Sequence, residues 1–287
     1  MLPFASYAAG SVQPVNYEMI KMSGTPAVKS VAALVVDQGS GGVIYEKNTD
    51  RIAPIASITK LMTAMVTLDA GLPLDDVVTI DPDDIDTIKH TGSRLAVGTG
   101  LPRGDLLRLA LMSSENRAAA ALGRTYPGGT KAFVEAMNHK AVELGMSNTR
   151  FVDPTGLSSD NVSTAGDLAK MVNAAYQYAL IREFTTTSSH RVQTVAGRSM
   201  QFRNSNRLVK SAKWEIGLSK TGYISEAGRC LVMQAEIAAR PIIIVLLDSW
   251  GKYTRLGDAN RIKKWLETQL AHKHIGPGPT ASADISM

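Results

Sequence analysis

Leu218–Trp250 reads LSKTGYISEAGRCLVMQAEIAARPIIIVLLDSW, and three strand patterns follow one another in it. LSKTGYI (Leu218–Ile224), RCLVMQAEIA (Arg229–Ala238) and PIIIVLLDSW (Pro241–Trp250) are apolar, strand-sized and joined by short polar links. The run Pro241–Leu247 is the longest apolar stretch of the chain and is rich in β-branched residues. A membrane span needs about eighteen such residues in a row, so a buried strand is the reading. Downstream, DANRIKKWLETQLA (Asp258–Ala271) has the pattern of an amphipathic helix. Gly276–Pro279 (GPGP) and the polar residues beyond it read as a frayed tail, placed at 271–287.

Upstream the period changes. Residues 72–200 are mostly helical in pattern: Leu101–Ser114, Glu115–Tyr126, Gly128–Gly145 and Thr164–Leu180, the last with a Thr164/Asp167 capping start. Near the N-terminus, VAALVVD (Val31–Asp37) and VIYEK (Val43–Lys47) flank a Gly-rich turn and predict a β-hairpin. A helix is predicted from about Ser57 to Ala70, because Ile58, Leu61, Met62, Met65 and Val66 share one face and Gly71 can end it. Strands at both ends with helices between predict one sheet assembled from distant segments. The expected organisation is a leader over 1–28 and a single catalytic domain over 29–270. Within that domain, 29–71 and 201–270 carry the sheet and 72–200 the helical part.

Of the 287 residues, 44% are hydrophobic and 20% charged, ordinary values for a chain that buries a core. The net charge is +5 and the sequence pI about 9.2. The basic residues are scattered, with no Lys/Arg block or aromatic-basic ladder, so no nucleic-acid partner is expected. The single cysteine, Cys230, excludes an intrachain disulfide and sits in an apolar stretch, where a buried structural thiol is expected. MLPFASYAAG (Met1–Gly10) lacks a basic region and a full apolar segment, so no complete signal peptide is visible. If the protein is exported, the chain begins after or within the removed segment.

Several chemistries are absent as motifs: G-x-S-x-G, H-E-x-x-H, C-x-x-C and the phosphate-binding G-x-x-x-x-G-K-[ST]. The five histidines show no ligand spacing, so neither metal nor cofactor is expected. A lysine-assisted serine mechanism does have its parts. Ser57-Ile58-Thr59-Lys60 is an S-x-x-K at a helix start, where residues three apart share a face. A serine hydroxyl needs a base to become a nucleophile, and a lysine serves only if burial or a nearby cation lowers its pKa. About one S-x-x-K is expected by chance in a chain this long. The second one present, Ser249–Lys252, follows a strand and contains Gly251, so it is set aside.

Ser114-Glu115-Asn116 lies where one helical pattern meets the next, offering a hydroxyl to relay a proton and a carboxamide to hold a substrate. A rival, Ser159-Asp160-Asn161, precedes the capped helix and reads as loop and cap. Lys220-Thr221-Gly222 is the most specific element, with a chance expectation of roughly 0.06 per chain. There Lys220 supplies positive charge, Thr221 a hydrogen bond to an acyl substrate and Gly222 room for its approach. The backbone N–H of Tyr223 would complete an oxyanion hole with that of Ser57.

In this order the three motifs resemble the penicillin-binding proteins and class A β-lactamases. PIASITKLMTAMV (Pro54–Val66), DPTGLSSDNVSTAGDLAKM (Asp153–Met171) and KTGYISEAGRCLVMQA (Lys220–Ala235) sharpen the likeness to the low-molecular-mass D,D-peptidases, over about 30–270. The closing SWGKYTRLGDANRIKKWLE (Ser249–Glu267) looks most like the penicillin-binding protein 7 type, the D-alanyl-D-alanine endopeptidases. The resemblance implies an α/β (α+β) fold: a five-stranded antiparallel sheet flanked by helices, with an inserted helical subdomain. It also implies an exported, periplasmic enzyme acting on peptidoglycan peptide stems and acylated on Ser57 by β-lactams. About seventeen residues follow Leu270, too few for the C-terminal domain and anchoring helix of related carboxypeptidases, which favours the endopeptidase and no transmembrane anchor. Glu115 stands where class A β-lactamases have Asp, which disfavours rapid β-lactam hydrolysis. Carboxypeptidase, β-lactamase and non-turnover binding readings stay open from sequence.

Overall fold

Polar links separate the apolar strands, and the chain order β1 (Ala32–Asp37), β2 (Val43–Lys47), β3 (Ala53–Pro54) opens the fold. The structure, a computed structural model, describes residues 20, 22 and 24–274, with side chains through 270. A 3₁₀ turn at Ala56–Thr59 leads into α1 (Lys60–Asp69). Then come β4 (Val77–Thr79), β5 (Gly100–Pro102), α2 (Arg103–Met112), α3 (Asn116–Arg124), α4 (Gly129–Glu143) and β6 (Val162–Ser163). The chain continues through α5 (Ala165–Ala175), α6 (Ala179–Thr186), β7 (Ser189–Gln193) and β8 (Ser199–Arg203). It closes with β9 (Glu215–Ile224), β10 (Gly228–Ile237), β11 (Arg240–Ser249) and α7 (Thr254–His274).

The main sheet has the order β2-β1-β11-β10-β9, antiparallel throughout. Its first and last segments pair across more than two hundred residues, with Ala33 opposite Leu246 and Val35 opposite Ile244. PIIIVLL has no polar positions because both faces of β11 are covered. Ile243, Val245 and Leu247 join the core under the helical region, while Ile242, Ile244 and Leu246 join a second core with Ala259, Ile262 and Leu266 of α7. Burying each such aliphatic side chain contributes about 1.5–3 kcal/mol, which fixes the register. The predicted five-stranded antiparallel sheet with helices on both faces is therefore present.

The structure departs from the sequence reading in five places. The first helix begins as a 3₁₀ turn, so Ser57 precedes α1 proper. Leu101 lies on β5, not in a helix, because Pro102 is extended (φ −54°, ψ 142°) ahead of α2. The single helix expected over Thr164–Leu180 is two. Tyr178 is extended (φ −85°, ψ 113°), and its hydroxyl donates to Asp69 Oδ1 on α1 at 2.7 Å. Residues 189–203 form the hairpin β7–β8 inside the predicted helical region. Its alternation buries only Val192, Met200 and Phe202 of ten strand residues, too weak an apolar pattern to stand out. The closing helix continues to His274, into the segment read as tail. The rest of that segment, and the leader before residue 20, lie outside the described residues.

Candidate active site

Ser57 enters the site through strain. Ala56, fully buried, has φ +48°, a left-handed conformation that an alanine adopts at a cost. The 3₁₀ geometry that follows eclipses residues three apart, so Ser57 and Lys60 stack directly. Lys60 Nζ lies 2.9 Å from Ser57 Oγ, 2.8 Å from Asn116 Oδ1 and 2.6 Å from Thr155 O. All three ammonium hydrogens thus have acceptors inside a fully buried environment. Burial lowers the Lys60 pKa to about 8, and the negative charges of Asp153, Glu115 and Asp86 oppose the fall. About a tenth of such an amine is neutral at pH 7.

The S-x-N triplet is a junction between helices. Ser114 has φ +62°, and the Glu115 N–H reaches back to Leu109 O at 3.2 Å to close the end of α2. Glu115 then caps α3, accepting from Arg117 N at 3.3 Å and from Ser93 Oγ at 2.5 Å. That is the local work of the middle residue. Asn116 follows as the first residue of α3, its amide donating to Thr91 Oγ1 at 2.9 Å.

On β9, at the open edge of the sheet, Lys220 is buried and donates to Ser114 Oγ and to Thr221 O, both at 2.8 Å. Among the described residues no carboxylate pairs with it. Burial first, then the charges of Lys60 and Arg255, hold its pKa well below the ordinary lysine value. Thr221 Oγ1 donates to Ser205 Oγ at 2.7 Å. Two lysines therefore organise two serines: Lys60 gathers Ser57 and Asn116, and Lys220 gathers Ser114 beside Thr221.

Gly222 also has a packing role. A Cβ there would lie 2.9 Å from Ile55 O and 3.2 Å from Ser57 N, so its missing side chain admits the Ser57 turn against β9. Tyr223 turns its side chain outward, 55% exposed, with the Arg229 guanidinium 4.3 Å from its ring centre.

The sequence reading missed several neighbours. Thr155, Ser205 and Arg255, whose Nη1 donates to Gly222 O at 3.1 Å, reach the site from segments with no spacing relation to it. Asn161 lies in the loop that the sequence predicts, and it is fully buried there. Its amide accepts from Val152 N at 2.7 Å and donates to Thr59 Oγ1 at 3.1 Å and Asp153 O at 2.9 Å, holding the loop against the Ser57 turn. The Asp153-Pro154-Thr155-Gly156 turn carried a local signal, since Asp153 Oδ1 accepts from Thr155 N and Gly156 N. Thr164 caps α5 as predicted, while the Asp167 carboxylate turns to Asn148 N at 2.8 Å. The set-aside Ser249 is buried and bonded to Ser30 Oγ at 2.7 Å. Cys230 is buried as expected, and burial pushes its thiol up to about 11.

A family model described as D-alanyl-D-alanine carboxypeptidase, Peptidase S11, matches residues 19–251. The chain belongs to the S11 family. Among relatives of this S11 chain, the D-alanyl-D-alanine endopeptidase of Pseudomonas aeruginosa is 52% identical over 243 residues, covering 83% of this chain and 77% of the relative. That of Escherichia coli K12 is 46% identical over 269 residues, covering 93% and 85%. In three dimensions the S11 chain is similar to the Streptomyces K15 DD-transpeptidase, with 31% identity, a TM-score of 0.79, and 84% and 98% of the two chains covered. It is also similar to ampicillin-bound penicillin-binding protein D2 of Listeria monocytogenes, with 30% identity, a TM-score of 0.72, and 85% and 99% covered. Among the described residues, no helix is long and apolar enough to cross a membrane.

Proposed function

We propose that this chain is a serine D,D-endopeptidase that cleaves D-alanyl crosslinks of peptidoglycan through an acyl-enzyme on Ser57. The observation that carries the reading is a buried lysine amine, its pKa near 8, at 2.9 Å from a serine hydroxyl. Lys60 takes the proton as Ser57 Oγ attacks the D-alanyl carbonyl. The carbonyl oxygen, negative in the tetrahedral intermediate, is stabilised by the N–H groups of Ser57 and Tyr223. Collapse breaks the amide bond, and Ser114, held by Lys220, relays a proton to the leaving amine. A water then attacks the ester, gives up a proton to the site and regenerates Ser57. Asn116, Thr221 and Lys220 position the acyl segment. A groove of about 540 Å³, lined by Ser93, Ser113 and Glu115 among others, runs beside Ser114 and offers room for a peptide stem.

A β-lactam opened by Ser57 keeps its leaving group tethered, so the acyl-enzyme persists. Work on peptidoglycan places the protein outside the cytoplasm, in the periplasm. The family description supports a carboxypeptidase as the second reading; the relatives at 46% and 52% identity support the endopeptidase. Acylation is tested by peptide mapping after incubation with benzylpenicillin. The adduct is expected on Ser57 and absent from a folded Ser57→Ala variant. An adduct that persists in Ser57→Ala, or maps to Ser114, would refute the assignment.

A further inference from the structure

Three tryptophans are present; Trp214 is buried in the second core, and Trp265 of α7 packs against it. Trp250 does not. It is 96% exposed, and among the described residues its side chain has no hydrogen bond, ion pair or ring contact. A single exposed apolar side chain is ordinary, so what matters is the patch to which Trp250 belongs. The turn that carries it is fixed, because Gly251 N donates to Thr254 Oγ1 at 3.0 Å and Thr254 N to Gly251 O at 3.1 Å. Tyr253, on the same turn, is 53% exposed.

The sheet register places this turn beside the candidate active site. Tyr223 on β9 is opposite Arg229 on β10, and Arg229 is opposite Ser249 on β11, the residue before Trp250. Two strand spacings, about 10 Å, therefore separate the start of the turn from Tyr223. Arg255, at the other end of the turn, bonds to Gly222 O. The register and chain order thus put the three exposed aromatic residues at one end of the sheet, the end at which the Lys220–Gly222 strand finishes. Cations lie along it. Arg229 covers Tyr223 at 4.3 Å, and Arg207 and Lys252 lie 5.5 and 5.7 Å from the Tyr253 ring. The nearby acids Asp248 and Glu226 are already paired with Arg51 and Lys89.

We propose that Trp250 and Tyr253, with the cations around them, form a docking platform for the glycan strand of peptidoglycan. An N-acetylated aminosugar presents a C–H face to the negative face of an indole, and the lactyl carboxylate of a muramic residue freed of its stem faces the arginines and lysine. A stem of about four residues reaches about 14 Å when extended, enough to join the cleft to a sugar on this rim. The arginines here are already engaged on rings or a carbonyl, as suits a rigid sugar platform better than a fluid lipid surface. The choice of polymer rests on the D,D-peptidase reading; the binding test does not need it.

The experiment compares wild type with Trp250→Ala, using Trp250→Phe as the conservative control. Retention of penicillin-blocked protein on peptide-free glycan strands is measured, as is cleavage of sugar-free crosslinked peptides and of intact sacculi. Trp250→Ala should be retained at least fivefold less and should cleave sacculi at least fivefold more slowly, with the rate on sugar-free peptides unchanged. Trp250→Phe should recover most of both losses. Equal retention of wild type and Trp250→Ala overturns the platform. So does a defect confined to phosphatidylglycerol vesicles, which would make the rim a membrane contact. Should wild type cleave neither substrate, the peptidase reading fails, while glycan retention still decides the platform.

Discussion

At the residue scale, the chemistry depends on keeping an amine uncharged in a place that also welcomes it charged. Burial lowers Lys60 to about 8, while Asp153, Glu115 and Asp86 stand ready to stabilise the ammonium it becomes. In the proposed mechanism the neutral form is the base, so the rate of penicillin acylation should rise with pH and level off above an inflection near 8. A stopped-flow series in a β-lactam with a chromophore measures it. Lys60→Arg, charged at all these pH values, should lose about 10²- to 10⁴-fold in that rate. Stability follows the same proton. Lys60 titrates lower in the folded chain than in the unfolded one, so between about 8 and the ordinary lysine value the unfolded state binds more protons. Stability should therefore rise with pH from about 8 toward 10, and urea midpoints should show less of this rise in Lys60→Met. Ser57, Lys60, Ser114, Asn116, Lys220 and Thr221 were readable in sequence because short fixed spacings carry them. Thr155, Ser205 and Arg255 were not, because contacts made across 95, 16 and 33 residues leave no local trace.

At the element scale, the site is a seam between the β9 edge and the Ser57 turn, and glycines set its width. Gly222→Ala would place a Cβ 2.9 Å from Ile55 O and 3.2 Å from Ser57 N. Overpacking of that kind costs about 1–3 kcal/mol and should also slow acylation, since it pushes Ser57 away from Lys220 and Thr221. Thermal melts and penicillin labelling measure the two effects. Gly156→Ala is the harsher change, combining φ +79° with a Cβ 2.0 Å from Ala56 O, and should cost at least about 2 kcal/mol. Asn161→Ala removes partners from Val152 N, Thr59 Oγ1 and Asp153 O, which are held in a buried loop. It should destabilise by about 2–4 kcal/mol on a urea curve. The strands of the main sheet were legible because both faces are apolar, and α1 was legible because its buried residues repeat at helical spacing. The β7–β8 hairpin was not, since β8 alternates exposed and buried residues and β7 buries little more than Val192.

At the scale of the whole molecule, the fold exists to bring three distant pieces together. The N-terminal hairpin and the C-terminal strands close one sheet, the helical insertion supplies Ser114 and Asn116, and the seam between them holds both lysines. The same sheet carries the aromatic rim at the end of β11, so cleft and rim are rigidly related through one set of strands. An enzyme built this way should act on a substrate that is peptide in the cleft and polymer outside it. The decisive measurement is mass-spectrometric product analysis on two purified muropeptides, a crosslinked dimer and a pentapeptide monomer, with penicillin-blocked and Ser57→Ala controls. The dimer should be converted to monomers while the pentapeptide stays intact, and both controls should be inert. Loss of only the terminal D-alanine from the pentapeptide, with the dimer untouched, would contradict the endopeptidase and make the chain a carboxypeptidase.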